Sequence, residues 1–190
     1  HARIAPSHDL EDVVQHLWSV GWDLRDGAPQ RRETLPHPNV HLVIERGKSA
    51  IWGVHTTRFV TTLEGRGEVF GVKFRIGGFR ALVDAPMSRL RDRSLDLRDV
   101  FGADADGLES EVLSVDDDAQ RGAIVETLLR RHVKRVGDDT RHAAAIVDDI
   151  AADASIARVE DVIARWSMSS RSLQRLFNEC VGVGPKWVIQ

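Results

Sequence analysis

The 190-residue sequence contains a single cysteine, Cys180, and no tyrosine. One thiol excludes an internal disulfide framework and suits a reducing compartment. No apolar run reaches membrane-spanning length and no secretory hydrophobic region opens the chain, so the expected setting is cytoplasmic, with no membrane partner. Also absent is any Gly-x-Ser-x-Gly nucleophile elbow, and Gly65, Gly67, Gly71, Gly77 and Gly78 lack the strand-to-helix context of a phosphate loop. The expectation is a non-enzyme, with no catalytic residue and no cofactor. Neither an internal repeat nor a low-complexity tract is present, and the acidic run Asp116-Asp117-Asp118 reads as a helix-capping loop.

The net charge of −3 is unevenly distributed: residues 156–190 carry five Lys/Arg against three Asp/Glu, which leaves the remainder at −5. A small basic excess at one end is a weak electrostatic footprint for DNA. A hydrophobic fraction of 42% is enough to build a core.

The first half reads as β structure. Short runs rich in Val, Ile, Trp, Phe and Thr (HLWSVGWDL, NVHLVIERG, AIWGVH, RFVTTLEG and EVFGVKFRI, within residues 16–76) are separated by Gly, Pro and Asn, which predicts an antiparallel sheet or barrel. Alternation puts Trp18, Val20 and Trp22 on one face and Phe70, Val72 and Phe74 on another. Most of these aromatics are expected in the core, with the five Trp also able to line a ligand cavity. After Gly77-Gly78 the signal turns helical: a short helix at Phe79–Val83, mixed structure through SRLRDRSLDLRDVFG, then helices at 105–115 and 121–136, the last with Ile124, Val125, Leu128, Leu129 and Val133 on one face. Gly137 breaks the chain. The fold class is therefore α+β, with a β-rich part with trailing helices over residues 1–136 and a helical part over 138–190.

The helical part begins with a helix over 140–153 that packs Ile146, Val147 and Ile150. It continues with two short amphipathic segments. Val159, Val162, Ile163 and Trp166 form one apolar stripe; Leu173, Leu176 and Phe177 form a second after a three-residue connection at Ser167-Met168-Ser169. Ser169 has the side chain of an N-cap, and Gly182 suits the left-handed residue that ends a helix of about three turns. Away from the apolar stripe lie Ser170, Arg171, Ser172, Gln174, Arg175 and Asn178, whose side chains suit phosphates and base edges. Periodicity alone favours a helical hairpin with a solvated polar face over DNA binding.

The string SMSSRSLQRLFNECVGVGPK resembles the first helix-turn-helix of AraC/XylS-type transcription regulators, in the run Leu173-Gln174-Arg175-Leu176-Phe177 and in Gly182 and Pro185-Lys186. The resemblance implies that Arg171, Gln174 and Arg175 enter the major groove, with Ser170 and Asn178 beside them, and that double-stranded DNA is the partner. Three positions depart from the pattern: Ser167 replaces the usual turn Gly, Ile163 replaces a small Ala, and Arg158 offers no capping oxygen. Regulators of this type carry two such units; residues 185–190 resemble the opening of the joining helix, and the chain begins at His1, so a fragment that binds DNA weakly is expected. LPHPNVHLVIERG and GVKFRIGGFRALVDAP are similar to an amino-terminal module of the same group, which implies a small-molecule effector or a homodimer contact there.

The sequence also admits two other readings. His37, His41 and His55 could converge on a metal in a small β-barrel enzyme, although lone hydrogen-bonded histidines are commoner and no metal site is assigned. The basic run Lys73, Arg75, Arg80, Arg89, Arg91 and Arg93 could meet an anion or form a solvated face.

Overall fold

The computed structural model describes residues 1–189 of the chain. Eight strands come first: β1 (Ala2–Ile4), β2 (Val14–Leu24), β3 (Gln30–Thr34), β4 (His41–Glu45), β5 (Ala50–Trp52), β6 (Phe59–Leu63), β7 (Gly65–Phe74) and β8 (Ser94–Leu95). Helices follow: α1 (Leu97–Phe101), α2 (Leu108–Leu113), α3 (Asp118–His132), α4 (Asp138–Ala152), α5 (Val159–Trp166), α6 (Ser170–Leu176) and α7 (Pro185–Ile189).

Six strands form one antiparallel sheet in the order β1-β2-β7-β4-β5-β8, which stays open and does not close into a barrel. β3 and β6 pair only with each other. This ribbon leaves the sheet where Leu24 opposes Gly65 and comes back far enough for the Phe59 ring to lie 5.9 Å from that of Trp52. The expected helix at Phe79–Val83 is a single 3-10 turn over Gly78–Ala81, and the expected helix at 105–115 shortens to α2 because Gly107 adopts a left-handed conformation before it. α3 begins three residues earlier than periodicity suggests. Asp117 caps it, accepting from the backbone N–H groups of Ala119 and Gln120.

Leu17, Leu42, Ile51, Phe70 and Val72 line the inner face of the sheet, all at 1% exposure or less. α3 lies across that face: Gly122 comes close to Leu17, Ser19 Oγ donates to Asp118 at 2.5 Å, and Arg121 pairs with Glu68 at 2.7 Å. Each such large apolar side chain contributes about 1.5–3 kcal/mol by leaving water. Phe70, Phe74, Phe79, Phe101 and Phe177 are fully buried, Phe59 on β6 is 42% exposed and all five tryptophans are half-buried, so the expectation that most of the strand aromatics are core holds for Phe70 and Phe74 and not for Phe59 or the tryptophans. Trp18 and Trp22 instead lie flat over Gly71 and Gly67 on the neighbouring strand, where a Cβ would sit 2.4 Å and 2.2 Å from the indoles.

One apolar core runs from the sheet into the helices and includes Ile146, Val162, Leu173 and Phe177. Packing crosses the break at Gly137: Gly77 faces Thr140 and Cys180, Arg80 donates to Cys180 Sγ at 3.2 Å, and Arg91 donates to the Gly182 carbonyl at 3.0 Å.

Candidate nucleic-acid interface

α5 lacks an N-cap oxygen at Arg158, and the structure supplies one from inside the helix. The Asp161 carboxylate accepts from the backbone N–H groups of Arg158 at 2.8 Å and Ala157 at 3.0 Å. Val162 is buried, while Val159, Ile163 and Trp166 pack half-buried against the core. At its other end α5 is tied to α4: Trp166 Nε1 donates to Asp149 at 2.9 Å, and Arg165 pairs with Asp149 at 2.7 Å and Asp153 at 2.8 Å.

The connection turns at Ser167, which has φ +49°, a conformation that costs L residues other than Gly roughly 1–2 kcal/mol. Ser169 Oγ then accepts from the N–H of Ser172 at 3.1 Å and starts α6. Leu173, Leu176 and Phe177 point inward at 0%, 6% and 0% exposure, and Ser170, Arg171, Gln174, Arg175 and Asn178 are all exposed. Among the described residues neither Arg171 nor Arg175 makes an ion pair, whereas Arg158, just before α5, and Arg165 on it both do. Two unpaired guanidiniums and a free carboxamide thus share one solvent-facing side of a helix that is pinned from behind.

The expected uniform three-turn helix is modified at its end. Past Leu176 the backbone widens into a π-turn over Phe177–Val181, closed by the Gly182 N–H donating to Phe177 O at 2.8 Å. Phe177, Cys180 and Val181, spaced i, i+3 and i+4, all face the core, at 0%, 0% and 1% exposure. Gly182 ends the element at φ +91°, as a helix-terminating glycine should. α7 follows with Pro185 buried and Lys186 exposed, adding a cation that the sequence reading did not assign. Arg80 holds Glu179 at 3.9 Å and Cys180 Sγ at 3.2 Å; burial pushes the Cys180 thiol up, away from thiolate chemistry.

The three histidines considered as a metal set lie apart in kind. His37 is exposed on the loop before β4, His41 is half-buried on β4, and the His55 ring stacks 5.5 Å from Trp52. Among the described residues no three His, Cys, Asp or Glu are grouped so as to hold a metal ion. The metal-enzyme reading thus has no converging ligand set. The basic run likewise disperses: Arg75 donates to the Glu11 carbonyl, Arg80 and Arg91 face the α6 end, and Lys73 lies on the sheet.

By architecture the chain is an α+β protein, an open antiparallel sheet followed by helices. It belongs to the family described as a domain of unknown function, DUF6597, whose model matches residues 2–96, half of the chain. The match spans the whole sheet and ends before the helices. No curated protein and no solved structure matches the chain. No helix among the described residues is long and apolar enough to cross a membrane.

Proposed function

We propose that this chain is the sensing part and first reader of a sequence-specific, AraC-type transcription regulator, working in the cytoplasm on double-stranded DNA. The observation that carries the reading is the side of α6 bearing Arg171, Gln174 and Arg175, exposed and without ion pairs, over Leu173, Leu176 and Phe177 in the core. Arg can bond guanine through two hydrogen bonds, Gln can do the same with adenine, and Ser170, Asn178 and Lys186 suit the flanking phosphates.

Control requires that an effector, or a second subunit on the sheet domain, prefer one of two arrangements of the molecule. The contacts at stake are those of Arg80 with Cys180 and of Arg91 with Gly182, which join the segment after β7 to the far end of the candidate reader helix. β7 itself leads from the sheet through Gly77-Gly78 to Arg80 within a few residues.

Fluorescence anisotropy with duplexes selected from a random pool tests the reading. Arg175→Ala is expected to weaken binding by about 1–3 kcal/mol with an unchanged melting temperature. Equal affinity, or a matching loss of thermal stability, would contradict a base-reading role.

A further inference from the structure

The outer face of the sheet carries a group of residues that the reader hairpin does not use. In register across the strands, His16 of β2 opposes Lys73 of β7, Lys73 opposes His41 of β4, and His41 opposes Trp52 of β5. The next row runs from Arg3 through Trp18 to Gly71. Residues opposite one another in a sheet project from the same face, so these side chains form one surface.

Its charge is one-sided. Among the described residues Lys73 and Arg3 make no ion pair, although Lys73 is half-buried; Arg121, the buried cation on the other face, has both Glu68 at 2.7 Å and Asp118 at 3.6 Å. Neither row contains an acid, and Glu45, one row further, is engaged by Lys48 at 3.4 Å. Leaving a half-buried ammonium without a counter-charge is unfavourable unless something supplies one. Burial, and then the Lys73 charge, push the His41 imidazole down to about 4, so it stands neutral beside that ammonium.

The surroundings are aromatic and incompletely satisfied. Trp18 packs edge-on to His41 at 6.3 Å, and Trp52 meets both His55 and Phe59. Trp18 Nε1 and His55 Nε2 are buried with no hydrogen-bond partner. Leu35, Phe59 and Val60, the large hydrophobics left exposed at 64%, 42% and 44%, all sit at the end of the β3–β6 ribbon next to Trp52. A cationic centre between flat rings, with a bare apolar rim, is complementary to a molecule that joins an anionic head to a planar apolar body.

We propose that the outer sheet face around Lys73, His41, Trp18 and Trp52 binds a small aromatic carboxylate, its carboxylate on Lys73 and its ring between the tryptophans. This deepens the regulator reading by naming the chemistry of the effector. The binding test uses no DNA and the DNA test uses no effector, so either can fail alone.

Calorimetric titration of the whole chain with 2-naphthoate, with the neutral 2-naphthamide as control, decides it. Saturable naphthoate binding is expected, with the amide weaker by roughly tenfold or more. Lys73→Met should remove that preference, Lys73→Arg should restore it, and Lys48→Met on the β4–β5 turn should leave it unchanged, with thermal melting confirming that each variant folds. Equal binding of acid and amide, a preference that survives Lys73→Met, or no saturable naphthoate binding would overturn the proposal. So would self-association of the chain that Lys73→Met abolishes while naphthoate has no effect, because a second copy would then be the occupant.

Discussion

Arg91 donates its Nε hydrogen to the carbonyl oxygen of Gly182 at 3.0 Å, so the segment that follows the sheet grips the residue at which the candidate reader helix ends. Gly182 stands at φ +91° with the Met87 carbonyl 3.0 Å from where a Cβ would lie, which leaves this junction little room to rearrange. Arg91→Ala is expected to lower global stability by about 1 kcal/mol and to speed amide exchange across Phe177–Gly182. Unchanged exchange there would show that the contact does not hold the helix end.

Ser167 marks a second local tension. It adopts φ +49° at the connection between α5 and α6, where the resembling regulators use glycine. Ser167→Gly removes the Cβ clash of the left-handed conformation and should stabilise the chain by about 1 kcal/mol, read as a higher urea midpoint at constant slope. A lower midpoint would mean that backbone entropy, not strain, governs this turn.

Acid should weaken the protein through His41 well before the carboxylates protonate. In the unfolded chain this imidazole takes up a proton near its ordinary 6.5; in the folded chain burial and Lys73 delay that to about 4. Between those values the unfolded state holds more protons, so the stabilisation is fully present above pH 6.5 and declines as pH falls toward 4, by up to about 3 kcal/mol. His16 and His37, also held below their ordinary value by burial first and Lys73 next, act in the same direction. Urea unfolding at several pH values measures the slope, and His41→Phe should flatten most of it; an unaltered slope would place the titration elsewhere.

The α+β class and the principal strands were legible because alternation marks β2, β4 and β7, whose inward apolar residues Leu17, Leu42, Ile44, Phe70, Val72 and Phe74 are buried to 1% or less. β3 was not, since Gln30–Thr34 contains no apolar residue and is exposed throughout. β1 and β8 are too short to carry a period. Leu173, Leu176 and Phe177 defined the inward stripe of α6 from spacing alone, but the π-turn after Leu176 has no local signature in the sequence. Likewise, alternation places Lys73 and His41 each on a face of its own strand, yet only the register brings them side by side with His16 and Trp52. The open sheet, too, follows from pairing: β8 lies beside β5 and not beside β1, so no strand returns to close a barrel.

An NMR titration of the chain with duplex DNA at low ionic strength, where even weak phosphate contacts register, shows which surface meets DNA. Backbone and side-chain shifts are expected to concentrate at Ser169–Asn178 and Lys186, including the Arg171, Gln174 and Arg175 side-chain signals, while the sheet stays silent. Shifts centred on the sheet face or on α3, with α6 unperturbed, would contradict it.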